Sequence, residues 1–213
     1  MNTHEILSNM MNLFPDARCE LTHETAFQLL VAVVLSAQTT DIRVNIVTKD
    51  LFEVYPDAQS LSKGEFKKVQ SLIKSIGLSQ TKTKNIISLS QKIIDEFNGN
   101  VPSSMEELMM LDGVGRKTAN VVLSEWFNVP AIAVDTHVER VSKRLRLVPN
   151  PKNVLQTEKI LMRKIDRSMW SHAHHLFIFF GRYKCKAQNP ICEGCPFQTF
   201  CRYYKQNYYK SSY

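Results

Sequence analysis

The spacing of apolar positions is helical almost from end to end. Residues 25–36 are apolar nearly all round, as a helix at the centre of a bundle must be. Asp41 can cap the next helix, which runs to about Val54 before Tyr55-Pro56 stops it. From Ser62 to Ile76, the residues Phe66, Val69, Leu72, Ile73 and Ile76 share one helical face, and Gly77 stands at the usual glycine stop. Thr83 to Phe97 is amphipathic and ends at Asn98-Gly99. Ser104 to Met110 is a short helix started by Ser103 or Ser104, with Glu106 and Glu107 in its first turn. After Gly115 a helix runs to about Phe127, and Pro130 closes the turn. Thr136 begins another, with Glu139 three residues on in capping-box spacing. From Tyr183 onwards cysteines and loop residues dominate. No strand pattern, internal repeat or low-complexity segment interrupts this order. The fold class is all-α, and a composition shift near Pro130 suggests two lobes.

Charge narrows the choice of partner. The 213 residues carry 27 Lys plus Arg against 20 Asp plus Glu, a formal charge of +7. Such an excess favours a polyanionic partner, nucleic acid ahead of an acidic membrane surface. The longest apolar run, Leu29 to Leu35, is far short of the ~20 residues that span a bilayer. The first fourteen residues include Glu5 and lack the basic-then-apolar order of a signal peptide. A cytoplasmic protein with no membrane partner is expected, nucleoid-associated if bacterial. In that compartment its five cysteines are ligands or free thiols rather than disulfides.

Four of the cysteines, Cys185, Cys192, Cys195 and Cys201, are spaced C-x6-C-x2-C-x5-C. Four thiolates so close together point to a metal centre. Zinc is the competitor, but its four-cysteine sites usually show two C-x2-C pairs, whereas here there is one. The spacing favours a [4Fe–4S] cluster, which would staple the segment that supplies all its ligands. Cys19 reads as an ordinary buried thiol.

A glycine turn, Leu111-Asp112-Gly113-Val114-Gly115, lies between two helical stretches. The glycines allow a tight turn and a close backbone approach, and the amides that follow open a helix whose dipole can hold a phosphate. It is not a nucleotide fingerprint, because no strand precedes it. Lys117 sits in the first turn of that helix, where a cation is unfavourable. Either it is a solvated surface lysine, or the helix terminus and Arg116 destabilise the ammonium form and make the amine a nucleophile. Asp135, before Thr136, reads first as a helix cap, and a cap leaves one carboxylate oxygen available.

The combination resembles the endonuclease III family of DNA glycosylases. The resemblance is carried by Leu111-Asp-Gly-Val-Gly-Arg-Lys-Thr-Ala-Asn-Val-Val-Leu123, by Ala133-Val-Asp-Thr-His137 and by the cysteine run ending at Cys201. Leu35-Ser-Ala-Gln-Thr-Thr-Asp41 and Ile76-Gly-Leu78 also look like that family. It implies a six-helix lobe over about 22–131, with a helix-hairpin-helix motif at about 105–123. The second lobe combines 1–21 with 132–213 and holds the cluster loop 185–201. The resemblance places the catalytic site in a cleft between the lobes and makes iron the expected metal.

The resemblance further implies a monomeric enzyme acting on double-stranded DNA that contains damaged bases or abasic sites. The target nucleotide is flipped out of the helix, since a base inside a duplex is out of reach. Lys117 attacks C1′ as the base leaves, giving a Schiff base through which β-elimination cuts the strand. Asp135 stabilises the positive charge developing on the sugar. Gln38 fills the gap in the helix, and Leu78 wedges the opposite strand. Gly113, Val114, Gly115, Arg116 and Thr118 bind the backbone, and His137 contacts a phosphate.

Lys117 separates the branches of the superfamily. Adenine-removing members resemble this chain but lack the lysine and carry a further C-terminal domain. This sequence has the lysine and ends twelve residues after Cys201, which points to the bifunctional branch and to oxidised pyrimidines. There are departures. Asp112 stands where the family usually has proline, which should loosen the turn and place an anion near the phosphate site. The loop from Lys186 to Ile191 is less basic than many cluster loops. The tail from Tyr203 to Lys210 interleaves aromatics with lysine and is either a DNA contact or a frayed terminus. The alternative from a different class is a non-catalytic DNA-binding module for lesion sensing or redox signalling.

Overall fold

The computed structural model describes residues 1–150 and 153–208; Tyr209 and Lys210 of the aromatic tail lie outside the described residues. Among the described residues there are helices, turns and bends but no strand, in keeping with the all-α expectation. The chain packs as two compact units, Glu20–Val129 and Met1–Cys19 with Pro130–Tyr213. No helix is long and apolar enough to cross a membrane.

The unit closed by Met1–Cys19 opens with α1, Thr3–Leu13, started by a capping box between Asn2 and Glu5. In the unit Glu20–Val129, α2 (Ala26–Leu35) is the central element. Thr25 caps it, and every residue from Phe27 to Leu35 is buried, so no side of it faces water. It packs against three other helices of its unit: α3 (Asp41–Val54), α6 (Ser79–Phe97) and α8 (Arg116–Glu125). The cap of α3 is Thr40, whose hydroxyl accepts from the Arg43 amide. Asp41, expected to cap, is instead the first helical residue, where its charge still favours the positive end of the dipole.

The helix expected from Ser62 to Ile76 is shorter at both ends, and a separate helix precedes it. Asp57 and Ser60 form a capping box that starts a one-turn α4 (Ala58–Ser62), and α5 is Phe66–Ile73. Gly64 lies between them, where a Cβ would come within 2.8 Å of Val69 Cγ2. Gly77 does not end α5, whose C-cap is Lys74. The left-handed residue is Leu78, which opens α6 four residues before the expected Thr83. Asn98 and Gly99 do end α6, both at positive φ and both donating to the Ile93 carbonyl. The short α7 (Met105–Met109) is capped by Ser104.

In the other unit α9 (Thr136–Arg144), α10 (Val154–Lys164) and α11 (Trp170–Phe179) follow. The last runs on as a π-helical turn, Phe180–Lys184, and a short α12 (Arg202–Asn207) lies in a segment expected to be loop. Its core is built from Ile6 and Met10 of α1, Val138 and Val141 of α9, and Leu176, Phe177, Phe180 and Phe197. Asp135, not Thr136, caps α9, so no capping box reaches Glu139, which pairs with Lys143 instead. Cys19 is half-buried rather than buried.

Candidate active site

The glycine turn joins α7 to α8 and is braced from one face of α6. Gly113 holds φ +79°, and a Cβ there would meet the Asn85 amide nitrogen at 2.7 Å, so both conformation and space demand glycine. Ser88, one turn further on, donates its hydroxyl to the Asp112 carboxylate. Lys92 donates to the Met110 carbonyl at 3.0 Å. The turn that Asp112 was expected to loosen is therefore tied down by that same side chain. Val114 and Leu111 are buried, so Val114 can offer a ligand only its main chain. Gly115 sits at the N-cap of α8 with open space before it, and no side chain caps the helix. The amides of Arg116, Lys117 and Thr118 thus head a helix of positive polarity, with the Lys117 and Thr118 side chains half-buried.

Asp135 caps α9 through one oxygen. Oδ1 accepts from the amides of His137 and Val138, both at 2.8 Å, and Oδ2 takes no part in the cap. Arg140 lies beneath His137. It donates to His137 Nδ1 at 3.1 Å, to the Gly181 carbonyl at 2.7 Å and to the Cys185 carbonyl at 3.1 Å. A guanidinium can only donate, so Nδ1 is an acceptor and the neutral imidazole carries its proton on Nε2. Burial holds the His137 pKa below its usual value, Asp135 opposes this, and Arg140 and Arg182 reinforce it. Gly181 makes the packing possible, since a Cβ there would lie 2.9 Å from His137 Cβ.

Gln38 and Leu78 both stand exposed in left-handed turns, at φ 55° and 59°. Leu78 is 61% exposed, which excludes a core role. Pattern reading missed the residue between these two turns. Lys82 is buried on α6, where burial lowers its pKa, and its ammonium reaches the segment around Gln38. Lys82 is in register with the apolar stripe Ile86, Leu89 and Ile93, but the helix expected from Thr83 left it outside.

Cys185, Cys192, Cys195 and Cys201 line one cavity, closed by Phe180, Phe197, Tyr203 and Tyr204. Short backbone bonds fold the loop around it, from Cys185 to the Phe180 carbonyl at 2.6 Å and from Cys201 to that of Phe197 at 2.7 Å. Arg144 donates to Cys185 Sγ at 3.2 Å and to the carbonyls of Lys186 and Ala187, and lies 4.0 Å from the Tyr203 ring centre. Burial pushes the thiols of Cys185, Cys192 and Cys195 up. Among the described residues no three His, Cys, Asp or Glu are grouped as one metal ion would require. Arg140 and Arg144, which link α9 to this loop, were not singled out from sequence, where they read as ordinary basic residues near a helix C-terminus.

Residues 31–167 match the HhH-GPD superfamily of base excision DNA repair proteins. Endonuclease III of Bacillus subtilis is 54% identical over 196 residues, 92% of this chain and 90% of that protein. The structure of a trapped endonuclease III–DNA covalent intermediate superposes with a TM-score of 0.93 at 52% identity, covering 97% of this chain and 98% of that one. A non-covalent endonuclease III–DNA complex also gives 0.93, at 53% identity over 95% of each chain. With the glycine turn, its lysine, the capping aspartate and the four-cysteine cavity in that frame, the chain belongs to the endonuclease III family within the HhH-GPD superfamily of base excision DNA repair proteins.

Proposed function

We propose that the protein is a bifunctional DNA glycosylase and abasic-site lyase that removes oxidised pyrimidines from duplex DNA through an imine on Lys117. The observation that carries this reading is Lys117 itself. It is half-buried in the first turn of α8, directly after the glycine turn, in a chain 52% identical to an endonuclease III trapped covalently on DNA. A covalent intermediate needs a protein nucleophile, and an amine is the group that forms an imine with C1′ of an opened sugar. The amine attacks C1′ and the base departs with a proton. The ring opens to the imine, and loss of a C2′ proton expels the 3′ phosphate. Asp135 Oδ2, outside the cap, is the oxygen assigned to the developing positive charge.

DNA is held by the main chain from Gly113 to Gly115 and by the amides and side chains of Arg116 and Thr118, where the uncapped helix end suits a phosphate. His137, neutral with a proton on Nε2, is a donor to a second phosphate. Gln38 and Leu78 are assigned to the gap and the opposite strand. Both hold left-handed turns in the open, which leaves their side chains accessible to DNA. The units Glu20–Val129 and Met1–Cys19 with Pro130–Tyr213 are read as the helix-hairpin-helix lobe and the cluster lobe.

Cys185, Cys192, Cys195 and Cys201 are assigned as ligands of a [4Fe–4S] cluster. They share one cavity, and each thiolate of such a cluster binds a different iron. Buried thiols ionise poorly without a cationic partner, which the metal supplies. When bound, the cluster cross-links the segment 185–201 to its own lobe.

The test is a duplex carrying a single thymine glycol. The expected products are free base and a strand cut to a 3′ unsaturated aldehyde. Base release from an uncut strand would limit the protein to glycosylase activity, and binding without either product would make it a non-catalytic module.

A further inference from the structure

Lys82 is used by none of the chemistry above, yet its ammonium is buried and fully bonded. Only 4% of it is exposed. A buried ammonium is costly unless each of its three protons finds an acceptor. Here each does: Nζ donates to the Leu35 carbonyl at 2.9 Å, to the Ala37 carbonyl at 2.7 Å and to Thr39 Oγ1 at 3.0 Å. None of the three is a carboxylate. The bonds at Ala37 and Thr39 bracket Gln38, and that at Leu35 neutralises the carbonyl end of α2.

The backbone of the same residue holds the other turn. The Lys82 amide donates to the Leu78 carbonyl at 2.9 Å, closing the first turn of α6 on Leu78. Gln38 and Leu78 both stand at positive φ, a conformation that residues with a Cβ keep only when their surroundings impose it. The Lys82 ammonium therefore ties the segment that carries Gln38 to the first turn of the helix that Leu78 opens.

We propose that Lys82 is the positioning residue that holds Gln38 and Leu78 at a fixed separation, so that the two enter a duplex as one probe. The proposal rests on the reading of Gln38 and Leu78 as DNA-probing residues. It differs from a packing role because it predicts a loss specific to duplex DNA.

The experiment compares single-turnover excision from a thymine-glycol duplex by the holoenzyme and by Lys82→Met, the double variant Gln38→Ala/Leu78→Ala and the triple variant. Cooperative unfolding confirms that each is folded, and Lys82→Gln replaces Lys82→Met if the latter does not fold. Lys82→Met and the double variant should each slow duplex excision roughly a hundredfold, the order that a small misplacement costs. The triple variant should be no slower than the double. Borohydride trapping on an abasic site in single-stranded DNA, with no helix to probe, should fall far less in Lys82→Met. Wild-type duplex excision by Lys82→Met alongside a slow double variant would overturn the proposal and leave the probe reading intact. Parallel loss of both reactions, or multiplied losses in the triple variant, would also overturn it. A double variant at the wild-type rate would overturn the probe reading and the proposal with it.

Discussion

Asp135 is a helix cap to which the proposed mechanism assigns a second, chemical role. Its Oδ1 takes both capping bonds, and Oδ2 is outside them. Asparagine caps as well as aspartate does, so Asp135→Asn should unfold at the wild-type temperature while excision falls about a hundredfold or more. Asp135→Ala should lose the cap too, at about 1 kcal/mol of stability. Thermal melts and single-turnover rates on both variants separate the two roles, and an unchanged rate in Asp135→Asn would reduce it to a cap. At this scale the sequence was uneven. Lys117, Asp135 and the four cysteines stood out because their neighbours form tight local motifs. Lys82 did not, since its partners lie more than forty positions away and a lone lysine in an apolar stripe has no motif. Arg140 and Arg144 were hidden for the same reason.

Helices were legible from apolar spacing wherever one face meets a core. α2, α6 and α8 follow their patterns closely, and α6 misses only its first turn. The short α4 was not legible, because five residues are too few to show a period and only the Asp57–Ser60 capping box marks its start. The hairpin teaches the same lesson. Asp112 in place of proline suggests a loose turn, but Ser88, Asn85 and Lys92 on one face of α6 replace ring rigidity with a brace. Ser88→Ala should therefore weaken binding to duplex DNA of any sequence by several-fold, with little loss of overall stability. Ser88→Ala/Asp112→Pro should recover it. Equilibrium binding at fixed salt decides the matter, and wild-type affinity in Ser88→Ala would show the brace to be idle.

For the whole molecule, the net charge of +7 favours a polyanionic partner such as DNA, and the proposed roles fall on both units. The hairpin and the turns at Gln38 and Leu78 belong to Glu20–Val129, whereas Asp135 and the cysteine cavity belong to the other unit. No local pattern states that α1 joins a core of later helices; only the packing of Ile6 and Met10 against Phe177 and its neighbours does. On the [4Fe–4S] assignment, purified protein should carry about four iron atoms per chain, and Cys195→Ser should lose both iron and cooperative unfolding. Stoichiometric zinc without iron would contradict the assignment. The central claim is that the Lys117 amine is the nucleophile. Borohydride reduction during turnover on thymine-glycol duplex, followed by peptide mapping, tests it most directly. The account predicts one covalent DNA adduct, on Lys117, absent from Lys117→Ala; a full-strength adduct in that variant, or one mapped to another residue, would contradict it.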